Sequence, residues 1–91
     1  MRIRWLSSSQ RDLSRLHDFL KDAAPDTASR RIRAIIAAVE RLIEFPNIAP
    51  RVERYGSREV RALLVGDYEL HYEVMADTIV ILRIWHVREN R

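Results

Sequence analysis

The chain has 91 residues, enough for one domain and too few for two, and 47% of them are apolar, so a packed core is available. It has no cysteine, which excludes a disulfide framework, a thiolate nucleophile and any cysteine-based zinc site. Sixteen basic residues against thirteen acidic ones give a net charge of +3, and with no apolar run suited to a signal peptide or a membrane span, the expected setting is a reducing cytoplasm.

In chain order, residues 2–6 alternate charged and apolar side chains with Ile3 and Trp5 on one face, which predicts a short strand. Ser7, Ser8 and Ser9 offer N-cap oxygens. Leu13, Leu16, Phe19 and Leu20 then recur at helical spacing, predicting a helix over residues 10–23. Pro25 is expected to end it, because the residue before a proline is pushed out of the α region, and Asp26 or Thr27 to cap the next. Ala28, Ile32, Ile35, Ile36, Val39, Leu42 and Ile43 form one apolar stripe at spacings of three and four, closed by Pro46. Two amphipathic helices on so short a link are expected to form an antiparallel hairpin.

Residues 47–57 hold Pro50 and Gly56 and read as an arginine-rich loop. All the basic residues except Lys21 are arginine, and between Arg30 and Arg61 eight arginines face only four glutamates. A local guanidinium excess suits phosphate or carboxylate recognition, although for any one arginine an ordinary solvated face is as good an account.

The period then changes to two. Val60, Ala62 and Leu64 alternate with Arg61 and Leu63, and Gly66-Asp67 is a tight-turn signal. Tyr68, Leu70, Tyr72 and Val74 share one face of the next strand, and Glu69, His71 and Glu73 the other. Ala76-Asp77 marks a second turn. Residues 78–86 are apolar on both faces, which places that strand centrally. The expected fold is α+β: a single domain over residues 1–91, β-α-α-β-β-β, with the helical hairpin packed on one face of a mainly antiparallel sheet. Ile32, Ile35, Ile36, Val39, Leu42 and Ile43 are expected to pack on Tyr68, Leu70 and Tyr72.

Four stretches in succession carry a resemblance: Leu-Ile-Glu-Phe-Pro (42–46), Arg-Val-Glu-Arg-Tyr-Gly-Ser-Arg-Glu-Val-Arg (51–61), Gly-Asp-Tyr-Glu-Leu-His-Tyr (66–72) and Ile-Leu-Arg-Ile-Trp-His (81–86). From Trp5 to about Arg88 the chain resembles the RelE/ParE toxin superfamily of type II toxin–antitoxin systems. Its ending Leu-Arg-Ile-Trp-His looks like the ParE branch, whose members poison DNA gyrase and are linked to plasmid stabilisation. The RelE branch instead cuts mRNA on the ribosome. The resemblance implies a cognate ParD-like antitoxin with a DNA-binding head and a tail that wraps the toxin, a toxin–antitoxin hetero-oligomer, and no membrane partner.

Cleaving RNA through its 2′-hydroxyl needs a base, an acid and cations for the phosphorane charge. In the RelE branch these are lysines on the first meander strand, an arginine on the second, and a basic tail with a tyrosine. Here the corresponding positions hold Val60, Ala62 and Glu69, and after His86 come Val87, Arg88, Glu89, Asn90 and Arg91, with no tyrosine. Some ribosome-dependent relatives use histidine and glutamate instead, so His71, Glu69, Arg83 and His86 are the catalytic candidates under that reading. The plainer reading is a solvated polar sheet face. Arg83 and His86, three apart, point to opposite faces unless a bulge intervenes. His17 reads as surface, and Trp5 and Trp85 as core.

The chain has no Gly-rich phosphate loop, no metal-ligand spacing and no serine–histidine–carboxylate order, so no metal or cofactor is expected. Gyrase inhibition is the leading expectation, ribosome-dependent mRNA cleavage the alternative, and a member that only binds its antitoxin the third. Arg51, Arg54, Arg58, Arg61, Arg83 and Arg88 are the candidate contacts to the target. Arg30, Arg31, Arg58 and Arg61 are the candidates for an acidic antitoxin tail.

Overall fold

The change of hydrophobic period near residue 60 divides the chain into a helical and a stranded half. The elements are β1 (Arg2–Trp5), α1 (Ser7–Ala23), α2 (Pro25–Arg41), a single 3-10 turn (Glu53–Tyr55), β2 (Val60–Val65), β3 (Tyr68–Val74) and β4 (Thr78–His86). This is a computed structural model, and it describes residues 1–89. The four strands form one sheet in the order β1-β4-β3-β2. β2, β3 and β4 are antiparallel neighbours, while β1 runs parallel to β4. The strand that is apolar on both faces is therefore central, as its sequence predicts.

The helices cover one face. Leu16 of α1 and Ile35, Val39 and Leu42 of the second helix and its end bury against Tyr68, Leu70, Tyr72, Ile79, Ile81 and Ile84. Two stripe residues, Ile36 and Ile43, do not join them: Ile36 is 38% exposed against 1% for Ile35. Ile36 lies about 80° and Ile43 about 60° off the centre of the buried stripe at 3.6 residues per turn, so the flat sheet passes them by. Phe19 is a larger departure, 77% exposed, because it is turned well away from the Leu13–Leu16–Leu20 face.

Two local readings are corrected. Ser7, Ser8 and Ser9 are not caps: α1 begins at Ser7, Leu6 is its N-cap, and no side chain bonds there. Ser8 Oγ donates to the Leu82 carbonyl and Ser9 Oγ to that of Leu6. Pro25 does not merely stop α1 but starts α2, with extended Ala24 as the shared cap. Neither Asp26 nor Thr27 is needed there.

β1 stops at Trp5, opposite Ile81, so the second half of β4 is paired with β3 on one side and has no strand on the other. Side chains of α1 take the vacated positions. Ser8 bonds the Leu82 carbonyl at 2.7 Å, Asp12 accepts from the Ile84 N–H at 2.9 Å, and Arg15 donates to the Ile84 carbonyl at 3.3 Å. Spacings of four and three put all three on one helix face.

The other sheet face is half covered. Segment 50–52 bonds the outer edge of β2, Val52 N–H to the Val60 carbonyl and Ala62 N–H to the Pro50 carbonyl. The 3-10 turn then lays Tyr55 beside a second, smaller core of Val60, Val80 and Leu82. Gly56, at φ 67°, ends the turn in the left-handed region that glycine adopts without strain.

Candidate functional site

The 3-10 turn brings the arginine-rich segment over the ends of β3 and β4. Register pairs His71 with Arg83 and Tyr72 with Ile81, leaving Leu82 as an extra residue. This bulge lets Leu82 face the smaller core while Arg83, the next residue, joins the face of His71. No irregularity falls between Arg83 and His86, so ordinary alternation leaves His86 on the opposite face: its ring meets Tyr68 edge-on at 5.4 Å, and its Nδ1 accepts the Arg88 N–H. Of the four catalytic candidates, Glu69, His71 and Arg83 share a face, and His86 does not.

His71 is 2% exposed, which corrects the expectation of a solvated face. Alternation tells which way a side chain points, not what lies over it. Here Trp85 meets the imidazole at 4.7 Å between ring centroids, and Tyr55 at 5.9 Å. Both ring nitrogens are engaged: Nδ1 lies 3.2 Å from the Tyr55 hydroxyl and Nε2 lies 2.6 Å from Glu69 Oε2. With the phenol donating to Nδ1 and Nε2–H donating to the carboxylate, every group in the chain Tyr55–His71–Glu69 is satisfied. Such a chain fixes the tautomer of the ring and can pass a proton from the phenol inward.

The arginines around it divide into committed and outward ones. Arg58 grips Glu73 through Nε at 3.2 Å and a terminal nitrogen at 2.8 Å. The hydrogen bond from Arg58 holds the Glu73 carboxyl below its ordinary value, and the same bond raises the guanidinium. Arg83 grips Asp12 at 2.8 Å and stands 5.2 Å over the Trp85 ring. Burial pushes the Asp12 carboxyl up, but bonds from Arg83, the Ile84 N–H and Arg15 outweigh it and lower it. Arg15 also pairs with Glu89. Arg61 is half-buried and bonds the Ala49 carbonyl at 2.7 Å, the Asn47 carbonyl at 3.3 Å and Glu59. Arg51 bonds the carbonyls of Gly56 and Arg58, and Arg30 bonds the Thr27 hydroxyl. Arg31, Arg54 and Arg88 are exposed and in no ion pair among the described residues; Arg54 lies 5.4 Å over the Tyr55 ring. Arg51, Arg58, Arg61 and Arg83 thus hold the fold, and Arg54 and Arg88 are the target-contact candidates that project outward. Asn90 and Arg91, the end of the basic tail, lie outside the described residues.

Sequence reasoning missed Tyr55 and Asp12. Tyr55 had a faint signal, an aromatic between two arginines just before a glycine. Asp12 had none, since its partners are 71 and 72 residues away.

Among the described residues no group of three His, Cys, Asp or Glu side chains is placed to hold a metal ion, and no helix is long and apolar enough to cross a membrane. An apolar groove of about 560 Å³ runs between α1 and the sheet, lined by Leu16, Phe19, Leu20, Tyr68 and His86 and rimmed by Arg15, Arg88 and Glu89. Exposed Phe19 forms one wall of it.

A family described as the ParE toxin of the type II toxin–antitoxin system, parDE, matches residues 3–91. The chain is 34% identical over 87 residues to toxin RelE3 of Caulobacter vibrioides, covering 91% of this chain and 90% of that protein. A solved chain of the chromosomal ParDE TA system from P. aeruginosa superimposes with a TM-score of 0.81 at 26% identity, over 94% of this chain and 95% of that one.

Proposed function

The chain belongs to the ParE toxin family of type II toxin–antitoxin systems, and we propose that it is a binding poison of DNA gyrase held silent by a ParD-like antitoxin. The observation that carries this reading is the condition of His71. A general base must offer a nitrogen to its substrate, whereas here both nitrogens serve Tyr55 and Glu69 and the ring is buried. Arg83, the cation a nuclease would need beside it, serves Asp12. The residues left outward, Arg54 and Arg88, suit contacts to a large acidic partner such as a DNA-bound enzyme. A binding poison needs only such a surface, stabilising the enzyme's cleaved-DNA complex.

For neutralisation, the groove beside Phe19 suits an apolar helix face of an antitoxin tail. Of the four arginines proposed for acidic tail contacts, Arg58 and Arg61 are bound within the chain, which leaves Arg31 and, held only to the neutral Thr27 hydroxyl, Arg30 on α2.

The experiment is purified protein in gyrase supercoiling and DNA-cleavage assays, run beside an in vitro translation reaction. The expected result is loss of supercoiling with accumulation of cleaved DNA and intact mRNA. Cut mRNA within ribosomes, with gyrase unaffected, overturns the reading. One observation favours that second outcome: the Tyr55–His71–Glu69 chain has the form of a proton relay with a phenol at its outer end, and Tyr55→Phe separates the two readings.

A further inference from the structure

The chain has three tyrosines, and the hydroxyls of two are engaged within the fold. Tyr55 donates to His71 Nδ1 and Tyr72 to the Pro46 carbonyl. Tyr68 is only 5% exposed, yet its hydroxyl makes no hydrogen bond among the described residues. Those residues contain no fully enclosed side-chain oxygen or nitrogen without a partner, so the Tyr68 oxygen must reach open space. The space beside it is the groove of about 560 Å³ between α1 and the sheet, which Tyr68 lines. Burial pushes the phenol above its ordinary value, so the hydroxyl keeps its proton and can donate.

His86 lines the same groove. Its Nδ1 accepts the Arg88 N–H, so in the neutral ring the proton sits on Nε2. Nε2 has no hydrogen bond of its own among the described residues. Arg88 on the rim is in no ion pair among them, whereas the other two rim charges, Arg15 and Glu89, are paired with each other. The polar groups left to the groove are thus a phenol O–H, an imidazole N–H and a guanidinium. All three are donors, and the rim carries one net positive charge. The remaining lining, Leu16, Phe19 and Leu20, is apolar.

We propose that this groove binds a single-chain carboxylate amphiphile of the fatty-acid type. Its chain lies along Leu16, Phe19 and Leu20, and its carboxylate among Tyr68, His86 and Arg88. Ligand pockets run to about 300–1,000 Å³ and are mostly apolar with a few placed polar groups, and the groove has that size and that lining. A carboxylate only accepts, with two oxygens, which suits a set made entirely of donors. An ammonium would meet Arg88 and find Glu89 already held by Arg15. A phosphate would bring a second negative charge beside Glu89. The buried chain would also cover the Phe19 ring, which is otherwise exposed.

The test is calorimetric titration of the full chain with decanoate, kept below its micelle-forming concentration. The chain is used free of antitoxin, because an antitoxin helix is proposed for the same groove. Decanoate should bind saturably at one site. Octanoate should bind roughly tenfold more weakly, since each buried CH₂ is worth about fourfold, and decanol at least about tenfold more weakly than decanoate. Tyr68→Phe removes a hydroxyl that bonds nothing among the described residues, and Phe19→Ala trims an exposed side chain, so both variants should melt as the wild type does. Tyr68→Phe should weaken decanoate binding roughly tenfold and Phe19→Ala roughly fivefold. Absence of saturable decanoate binding, decanol bound as tightly as decanoate, or an affinity indifferent to Tyr68→Phe overturns the site.

Discussion

The Tyr55 hydroxyl meets His71 Nδ1 at 3.2 Å, and Glu69 holds the far nitrogen of the same ring at 2.6 Å. This contact, with the β2 edge bonds of segment 50–52, fastens the arginine-rich segment to the sheet. Tyr55→Phe removes one hydrogen bond and little volume, so stability should fall by about 0.5–1.5 kcal/mol. Toxicity in cells lacking antitoxin, read by DNA-damage signalling, should persist. A relay acting on RNA would instead lose roughly two to four orders of magnitude in rate with the same change.

His71→Ala opens a hole beneath Tyr55 and beside Trp85 and strands two polar partners. It should cost about 2–4 kcal/mol, so any loss of toxicity must be compared with the loss of folded protein. Thermal melting beside the toxicity assay makes that comparison. His86→Gln, on the opposite face, should leave toxicity largely intact.

Asp12 and Glu73 both titrate below their ordinary values in the folded chain. Carboxyls lowered on folding add stability above their unfolded pKa, about 4, and that stability is lost as pH falls through the folded values. Acid unfolding of the wild type should therefore steepen below about pH 4. Asp12→Ala should be less stable at pH 7, by about 1–3 kcal/mol for the orphaned Ile84 N–H alone, with a flatter acid limb. Equal acid limbs in the two proteins would remove Asp12 from the account.

Ile35 and Ile36 are neighbours in sequence with different surroundings. Truncating buried Ile35 to alanine should cost about 2–5 kcal/mol, and truncating Ile36 about 1 kcal/mol or less. Chemical denaturation of the two variants checks this. The sequence stripe alone places both in the core, and that expectation is withdrawn for Ile36.

Arg54→Glu and Arg88→Glu should weaken toxicity at unchanged melting temperature, because neither side chain is in an ion pair among the described residues. Arg58→Glu and Arg83→Glu set carboxylates against Glu73 and Asp12 and should lower both stability and toxicity. Deleting residues 87–91 also removes Glu89, the partner of Arg15, so it too should lower both. Full toxicity of the Arg54 and Arg88 variants would remove them from the target surface.

The sheet was legible because each strand announces its own face: the glycine at Gly66, the doubly apolar run from Ile79 to Ile84, and the alternation through Tyr68, Leu70 and Tyr72 need no distant information. Helix positions were legible at the centre of each stripe and not at its flanks, as Ile36, Ile43 and Phe19 record. The site was legible only in part. His71, Glu69 and Arg83 do share a face, but their burial depends on Tyr55 arriving from a turn sixteen residues before His71. The commitment of Arg83 depends on Asp12, at the other end of the chain.

The substitution of α1 side chains for a missing strand beside β4 also orders the events of synthesis. Ser8, Asp12 and Arg15 have their acceptors and donors at Leu82 and Ile84, and β1 joins the sheet through β4. A nascent chain that has not yet released residues 78–86 lacks the strand on which both ends of the molecule close. Contacts of such long sequence separation form late and slowly. The toxin should therefore stay unfolded, and protease-sensitive, until its last strand leaves the ribosome, which gives an antitoxin an extended chain to meet before any active surface exists. A fragment ending at residue 77 that resisted proteolysis would contradict this order.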